Sequence, residues 1–123
     1  MKVLIVDDSF VVRDRISEML SGITGIEIVG DAANSITAIY MVNKLKPDIV
    51  TLDIRIPVEN GIEVLKKIKR NHPSTIVVML TNFPHEQYRA KCFKHGADYF
   101  LSKSDEFEKL PNILVEICKQ KFK

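Results

Sequence analysis

Residues 2–8 read Lys2-Val3-Leu4-Ile5-Val6-Asp7-Asp8, and residues 48–53 read Asp48-Ile49-Val50-Thr51-Leu52-Asp53. Each is a short apolar run that ends in acid. Continuous apolar runs of this length read as strands buried on both faces, as in a parallel sheet. In open parallel sheets, ligands bind outside the carboxyl ends of the strands. Two such strands lying centrally would bring Asp7, Asp8 and Asp53 to one edge. Like charges that close cannot all ionise cheaply. The cluster calls for a hard cation, and Mg²⁺ held by one or two carboxylates plus phosphate oxygens fits that chemistry.

Outward from these two runs, apolar strands alternate with helical stripes. Further strands are expected at 27–31, 75–80 and 98–101. Helical period is carried by Val12, Ile16, Met19 and Leu20, then by Ala38, Ile39, Val42 and Leu45, then by Ile62, Val64, Leu65 and Ile68. Tyr88, Cys92 and Phe93 make a weaker fourth stripe, and Ile113, Leu114 and Ile117 a fifth. Five strands alternating with five helices imply βαβ units, a parallel sheet and right-handed crossovers. Turn chemistry marks the boundaries. Ser9 is a helix cap, Lys46-Pro47 ends the second helix, and Asn60-Gly61 opens the third. His72-Pro73 closes that helix. His95-Gly96 ends the fourth, and Pro111 belongs in the first turn of the last.

The 123 residues make one domain, 1–123, with room for a core. A net charge of +2 is too small to argue for nucleic acid or an anionic membrane. No apolar run reaches the length of a membrane span, and the start MKVLIVDD is too soon acidic for a signal peptide. Cys92 and Cys118 have no ligand-like spacing and read as buried thiols of a reducing cytosol, so a cytoplasmic location is expected. His72, His85 and His95 lack paired ligands and read as structural or solvated. Lys119, Lys121 and Lys123 suit the negative end of the last helix dipole.

The sheet edge carries more than acids. The fourth strand runs into Thr81, and the fifth, through Phe100, Leu101 and Ser102, into Lys103. An acidic pair, a third aspartate followed by Pro57 and Gly61, a hydroxyl, an aromatic and a lysine stand in order, each in place relative to a strand. In this the chain resembles, over essentially its whole length, the receiver domain of bacterial two-component response regulators. The resemblance implies a flavodoxin-like, doubly wound α/β fold with five parallel strands in the order 2-1-3-4-5 and five helices.

It also implies a role for each residue. Asp53 is the phosphoacceptor, a carboxylate nucleophile that takes a phosphoryl group from a histidine kinase or histidine phosphotransfer protein. Mg²⁺ is held by the Asp8 and Asp53 side chains and the Arg55 backbone carbonyl, with Asp7 acting through a water. Lys103 supplies positive charge and Thr81 a hydroxyl hydrogen bond. Thr81 and Phe100 are the switch, Phe100 rotating inward as Thr81 moves. The face of the fourth helix, fifth strand and fifth helix then changes to control an output domain or partner. That face is also the candidate for homodimer contacts. Such a domain is a phosphoacceptor signalling module that assists only its own phosphorylation and dephosphorylation. It binds neither nucleic acid directly nor membrane.

The chain departs from the family pattern in four places. Ile56 replaces a common methionine. Asn82 stands where a small residue is usual. Ser104 replaces a frequent proline, so no cis peptide is expected there. Phe100 lacks the hydroxyl of a tyrosine. Arg55, Asn82 and Phe83 flank the site and are expected to tune phosphoryl lifetime. Three other readings compete. A phosphorylation-independent binding module is opposed by the intact Asp8, Asp53, Thr81 and Lys103. An aspartyl-phosphate phosphatase usually has a second acid two residues beyond its nucleophile, where Arg55 stands. A flavin carrier needs a phosphate-cradling loop after the first strand, where this chain has acid.

Overall fold

The computed structural model describes residues 1–121. Five parallel strands form one sheet in the order β2-β1-β3-β4-β5, as expected. They are β1 (Lys2–Val6), β2 (Glu27–Ala32), β3 (Ile49–Leu52), β4 (Ile76–Thr81) and β5 (Tyr99–Ser102). The helices are α1 (Phe10–Leu20), α2 (Ser35–Leu45), α3 (Gly61–Asn71), α4 (Glu86–Lys94) and α5 (Leu110–Lys121). A single 3₁₀ turn, Phe107–Lys109, leads into α5.

The period-2 alternation of strand side chains divides the core. Leu4 and Val6 of β1, Val50 and Leu52 of β3, and Val77 and Met79 of β4 pack with Ala38, Val42, Leu65, Ile68 and Cys92. Val3 and Ile5, Ile49, Val78 and Leu80, and Leu101 pack on the other face with Ile16, Leu20, Leu110, Leu114 and Ile117. Full burial of each such side chain is worth about 1.5–3 kcal/mol relative to exposure. Because both faces are covered, β1 and β3 need no polar alternation, which is why they read as unbroken apolar runs.

The boundaries follow the turn chemistry. The Ser9 hydroxyl accepts from Val12 N, and Asn60 Oδ1 accepts from Ile62 N and Glu63 N. Gly96 closes α4 at φ 98°, and Lys46 takes the left-handed position (φ 49°) ahead of Pro47. Three strands, β3, β4 and β5, begin one residue later than expected, and at two of these entries an aspartate side chain engages the backbone of a neighbouring strand. Asp48 Oδ2 accepts from Lys2 N at 2.7 Å, and Asp98 Oδ2 accepts from Val77 N at 2.9 Å. Cys92 and Cys118 are free and buried, and burial pushes the Cys92 thiol up to about 11. No described helix is long and apolar enough to cross a membrane.

Candidate functional site

The parallel order puts β1 beside β3 and β3 beside β4, with Val6 opposite Leu52 and Leu52 opposite Met79. The residues that follow these strands therefore share one edge. Asp7, Asp8 and Asp53 each offer a carboxylate oxygen, and these oxygens lie within 4.8 Å of one another. Their surroundings differ sharply. Asp7 and Asp53 are buried, 1% and 5% exposed, whereas Asp8 is exposed. Asp7 Oδ1 accepts from Ser9 N at 2.9 Å. Asp53 Oδ1 accepts from Ile54 N at 2.7 Å.

Lys103 reaches the same place from beyond β5. Its Nζ donates to the Asp7 carboxylate and, at 2.9 Å, to Asp53 Oδ2. Its backbone N–H donates to Thr81 O at 2.8 Å, which ties the β5 loop to the end of β4. Burial pushes the Asp53 carboxyl above its ordinary value; the Lys103 hydrogen bond and charge oppose this, and the Asp7 charge adds to it. Burial works against the Lys103 ammonium, but its hydrogen bonds to Asp7 and Asp53 outweigh that and hold its pKa above the usual lysine value. Three carboxylates against one ammonium leave an excess of two negative charges. A divalent cation offsets that charge, and hard carboxylate oxygens are the donors Mg²⁺ takes. Asp8, exposed and turned to the same cluster, is the side chain most open to such an ion.

Thr81 is fully buried, and its Oγ1 accepts from Phe83 N at 3.0 Å. Arg55 is exposed, and its guanidinium carbon lies 4.1 Å from the centroid of the Phe83 ring. Asn82, between Thr81 and Phe83, is exposed. Phe100 is 4% exposed and packs in the core under α4. Arg89 lies 5.7 Å over its ring, and Phe93 packs beside it at 6.5 Å between centroids. The Phe100 ring is thus already buried while Thr81 is bonded to Phe83 N. No peptide bond among the described residues is cis, Lys103–Ser104 included.

Two residues at this edge escaped the sequence reading. Arg13 Nη1 donates to Asp7 O at 2.8 Å, and its Nε donates to Asp31 Oδ2 at 2.7 Å. It holds the backbone between the two N-terminal acids and pairs with Asp31 at the end of β2. Its position in the first turn of α1, one helical turn past the cap Ser9, was the available signal. Glu106 accepts from Ser102 N at 3.1 Å and donates its own N–H to Ser102 O at 2.8 Å, closing the loop that carries Lys103. No local pattern marks that closure.

Among known proteins, the model of the response regulator receiver domain matches residues 3–115. A protein-glutamate methylesterase/protein-glutamine glutaminase of Hahella chejuensis is 42% identical over 86% of this chain and 28% of its own length. The transcriptional regulatory protein BtsR of Salmonella typhi is 41% identical over 85% of this chain and 43% of its own. The crystal structure of the response regulator domain of Thermotoga maritima CheB aligns with a TM-score of 0.86 at 31% identity, covering 98% of this chain and 94% of that one. The isolated REC domain of RcsB from Salmonella enterica serovar Typhimurium, solved with phosphomimetic BeF₃⁻, aligns at 0.90 with 26% identity over 97% of this chain and 88% of that one. The chain spans less than half the length of the curated relatives it matches. With the fold, the clustered acids and the family match in agreement, the chain belongs to the response regulator receiver domain family.

Proposed function

We propose that this receiver accepts a phosphoryl group on Asp53 from a phosphohistidine of a kinase or phosphotransfer protein. The observation that carries the reading is the Lys103 bridge between Asp7 and Asp53, because it holds one oxygen of the nucleophile beside a fixed positive charge. In the transfer, an Asp53 carboxylate oxygen attacks phosphorus. A P–O bond forms, the P–N bond to the donor imidazole breaks, and the imidazole leaves with the electron pair and takes up a proton. Phosphoryl transfer needs positioning and charge stabilisation more than covalent help.

The chain's own groups supply that positioning. The Ile54 N–H fixes one Asp53 oxygen, and Lys103 can move from the carboxylate to a phosphoryl oxygen. Burial raises the basicity of Asp53, which favours attack. Thr81 can turn its hydroxyl to a phosphoryl oxygen, exchanging the bond it accepts from Phe83 N for one that it donates. Asp8, Asp53 and the Arg55 carbonyl would hold Mg²⁺, with Asp7 behind a water. When bound, the ion neutralises the developing phosphoryl charge.

The product adds a charge of roughly −1.5 to −2 and three strong acceptors. Taking a two-state face from mostly off to mostly on needs about 5.5 kcal/mol of differential interaction. Lysine, threonine and metal contacts to one dianion are of the kind that supply it. The face read out is that of α4, β5 and α5, where Phe93 is exposed beside the buried Phe100. Incubation with a small-molecule acyl phosphate and Mg²⁺ tests the reading by intact mass. Gain of one phosphoryl group is expected, and an unchanged mass would leave a binding module on the same fold.

A further inference from the structure

The loops after β3 and β4 meet at the sheet edge, where the Arg55 guanidinium lies on the Phe83 ring, 4.1 Å from its centroid. The backbone of Phe83 is held by a second contact, its N–H donating to Thr81 Oγ1 at 3.0 Å. Thr81 is itself fixed from the other side, since its carbonyl accepts from Lys103 N. The Arg55 end is equally well anchored. Ile54 is tied at both backbone atoms, its N–H to Asp53 Oδ1 and its carbonyl to Gly61 N at 2.6 Å. An exposed arginine on a firmly held loop is therefore spent on an aromatic face, with no carboxylate partner among the described residues.

We propose that Arg55 and Phe83 form a clasp across the β3 and β4 loops, latched by the Thr81 hydroxyl, so that opening the clasp and turning Thr81 are one event. This rests on Asp53 as the phosphoacceptor. A hydroxyl that turns to a phosphoryl oxygen swings Oγ1 away from Phe83 N. That leaves the Phe83 N–H without its partner, and the loop that presents the ring loses its tether. The stack then loosens and the guanidinium is freed on the side of the site where new negative charge has appeared. Conversely, a closed clasp holds Thr81 turned away from Asp53 and works against activation. Phe83 is thus a positioning residue that acts through Thr81, and Arg55 sets how strongly it does so.

The test uses beryllofluoride with Mg²⁺ as the phosphoryl mimic, its affinity read by amide shifts of the whole chain. Phe83→Leu keeps the bulk and the N–H but removes the aromatic face. It is expected to tighten beryllofluoride by about two- to five-fold, the size of an exposed guanidinium–ring contact. In an Arg55→Gln background the same substitution is expected to change nothing. Phe83→Trp, which restores an aromatic face, returns the parental affinity. The Phe83 amide, protected from hydrogen exchange in the free parent, loses protection when beryllofluoride binds. A parent that binds the mimic while Phe83→Leu has the same effect with and without Arg55, or none, overturns the clasp alone. A parent that neither binds the mimic nor gains mass from acyl phosphate overturns the phosphoacceptor reading and the clasp with it.

Discussion

Gly61 stands directly against the backbone of Asp53: a Cβ at residue 61 would lie 1.9 Å from the Asp53 carbonyl oxygen and 2.8 Å from its carbonyl carbon. The contact is with backbone, so nothing flexible can move aside. The Gly61 N–H reaches Ile54 O at 2.6 Å, so the start of α3 is pinned to the residue after Asp53. Gly61→Ala should therefore force α3 off Asp53 and cost about 1–3 kcal/mol, the usual range for overpacking. Thermal unfolding of the variant checks this, together with its labelling by acyl phosphate. A variant as stable as the parent would mean that the loop yields without cost.

Asp53→Asn should abolish the acyl-phosphate-dependent mass gain, because an amide cannot act as the nucleophile. The Asn variant preserves the shape of the site, so loss of labelling in a folded protein speaks to chemistry. Full labelling of the variant would move the acceptor to another side chain, and peptide mapping would identify it.

The strands and the acid cluster were legible because both sheet faces are covered, which leaves β1 and β3 as continuous apolar runs ending in charge, whereas the strand order came from the family resemblance. Less legible was the division of labour between Asp7 and Asp8. Adjacent residues on an extended chain point opposite ways, so one acid goes under Lys103 and the other into solvent. Only the tertiary arrangement decides which. Arg13 and Glu106 escaped because each acts on a backbone atom of another segment or turn, and such partners leave no periodic trace. The left-handed Val58 (φ 75°) was invisible for a related reason. A β-branched residue there contradicts local preference, and the surrounding loop imposes it through the bonds from Ser35 N to Pro57 O and from Glu59 N to Ser35 Oγ.

Mg²⁺ affinity should depend on Asp8 more than on its neighbour. Asp7 is already engaged by Lys103 and Ser9 N, whereas Asp8 is exposed beside the same cluster. Asp8→Ala should weaken Mg²⁺ by about tenfold or more, each tenfold being ~1.4 kcal/mol. Titration of the amide spectrum with Mg²⁺ measures it. Unchanged affinity would place the ion away from the three carboxylates.

Glu106 gives the fold a pH dependence with a definite sign. The Ser102 N–H, opposed by burial and helped by Lys109, holds its carboxyl below its ordinary 4.5. A depressed carboxylate stabilises the fold above its unfolded value, and that contribution is lost as pH falls through the folded value. Glu106→Gln should lower the melting temperature at pH 7, and the gap to the parent should close below pH 4.5. A gap that persists in acid would trace the effect to shape instead of charge.

Asn82 is expected to bear on the lifetime of the proposed phosphorylated state. Hydrolysis requires a water in line with the bond from phosphorus to Asp53. Asn82 follows Thr81 directly and is exposed, whereas Thr81 itself is fully buried. A side chain of this size where a small residue is usual is expected to obstruct both the incoming donor and the attacking water. The phosphorylated form should then be slow to form and slow to decay. Asn82→Ala should speed both steps, and each tenfold change would correspond to about 1.4 kcal/mol in the barrier. Rates from acyl phosphate labelling and from decay after its removal, in matched Mg²⁺, separate the two. Acceleration of decay alone would point to water access without donor access, and parental rates for both would show that Asn82 stands clear of the path.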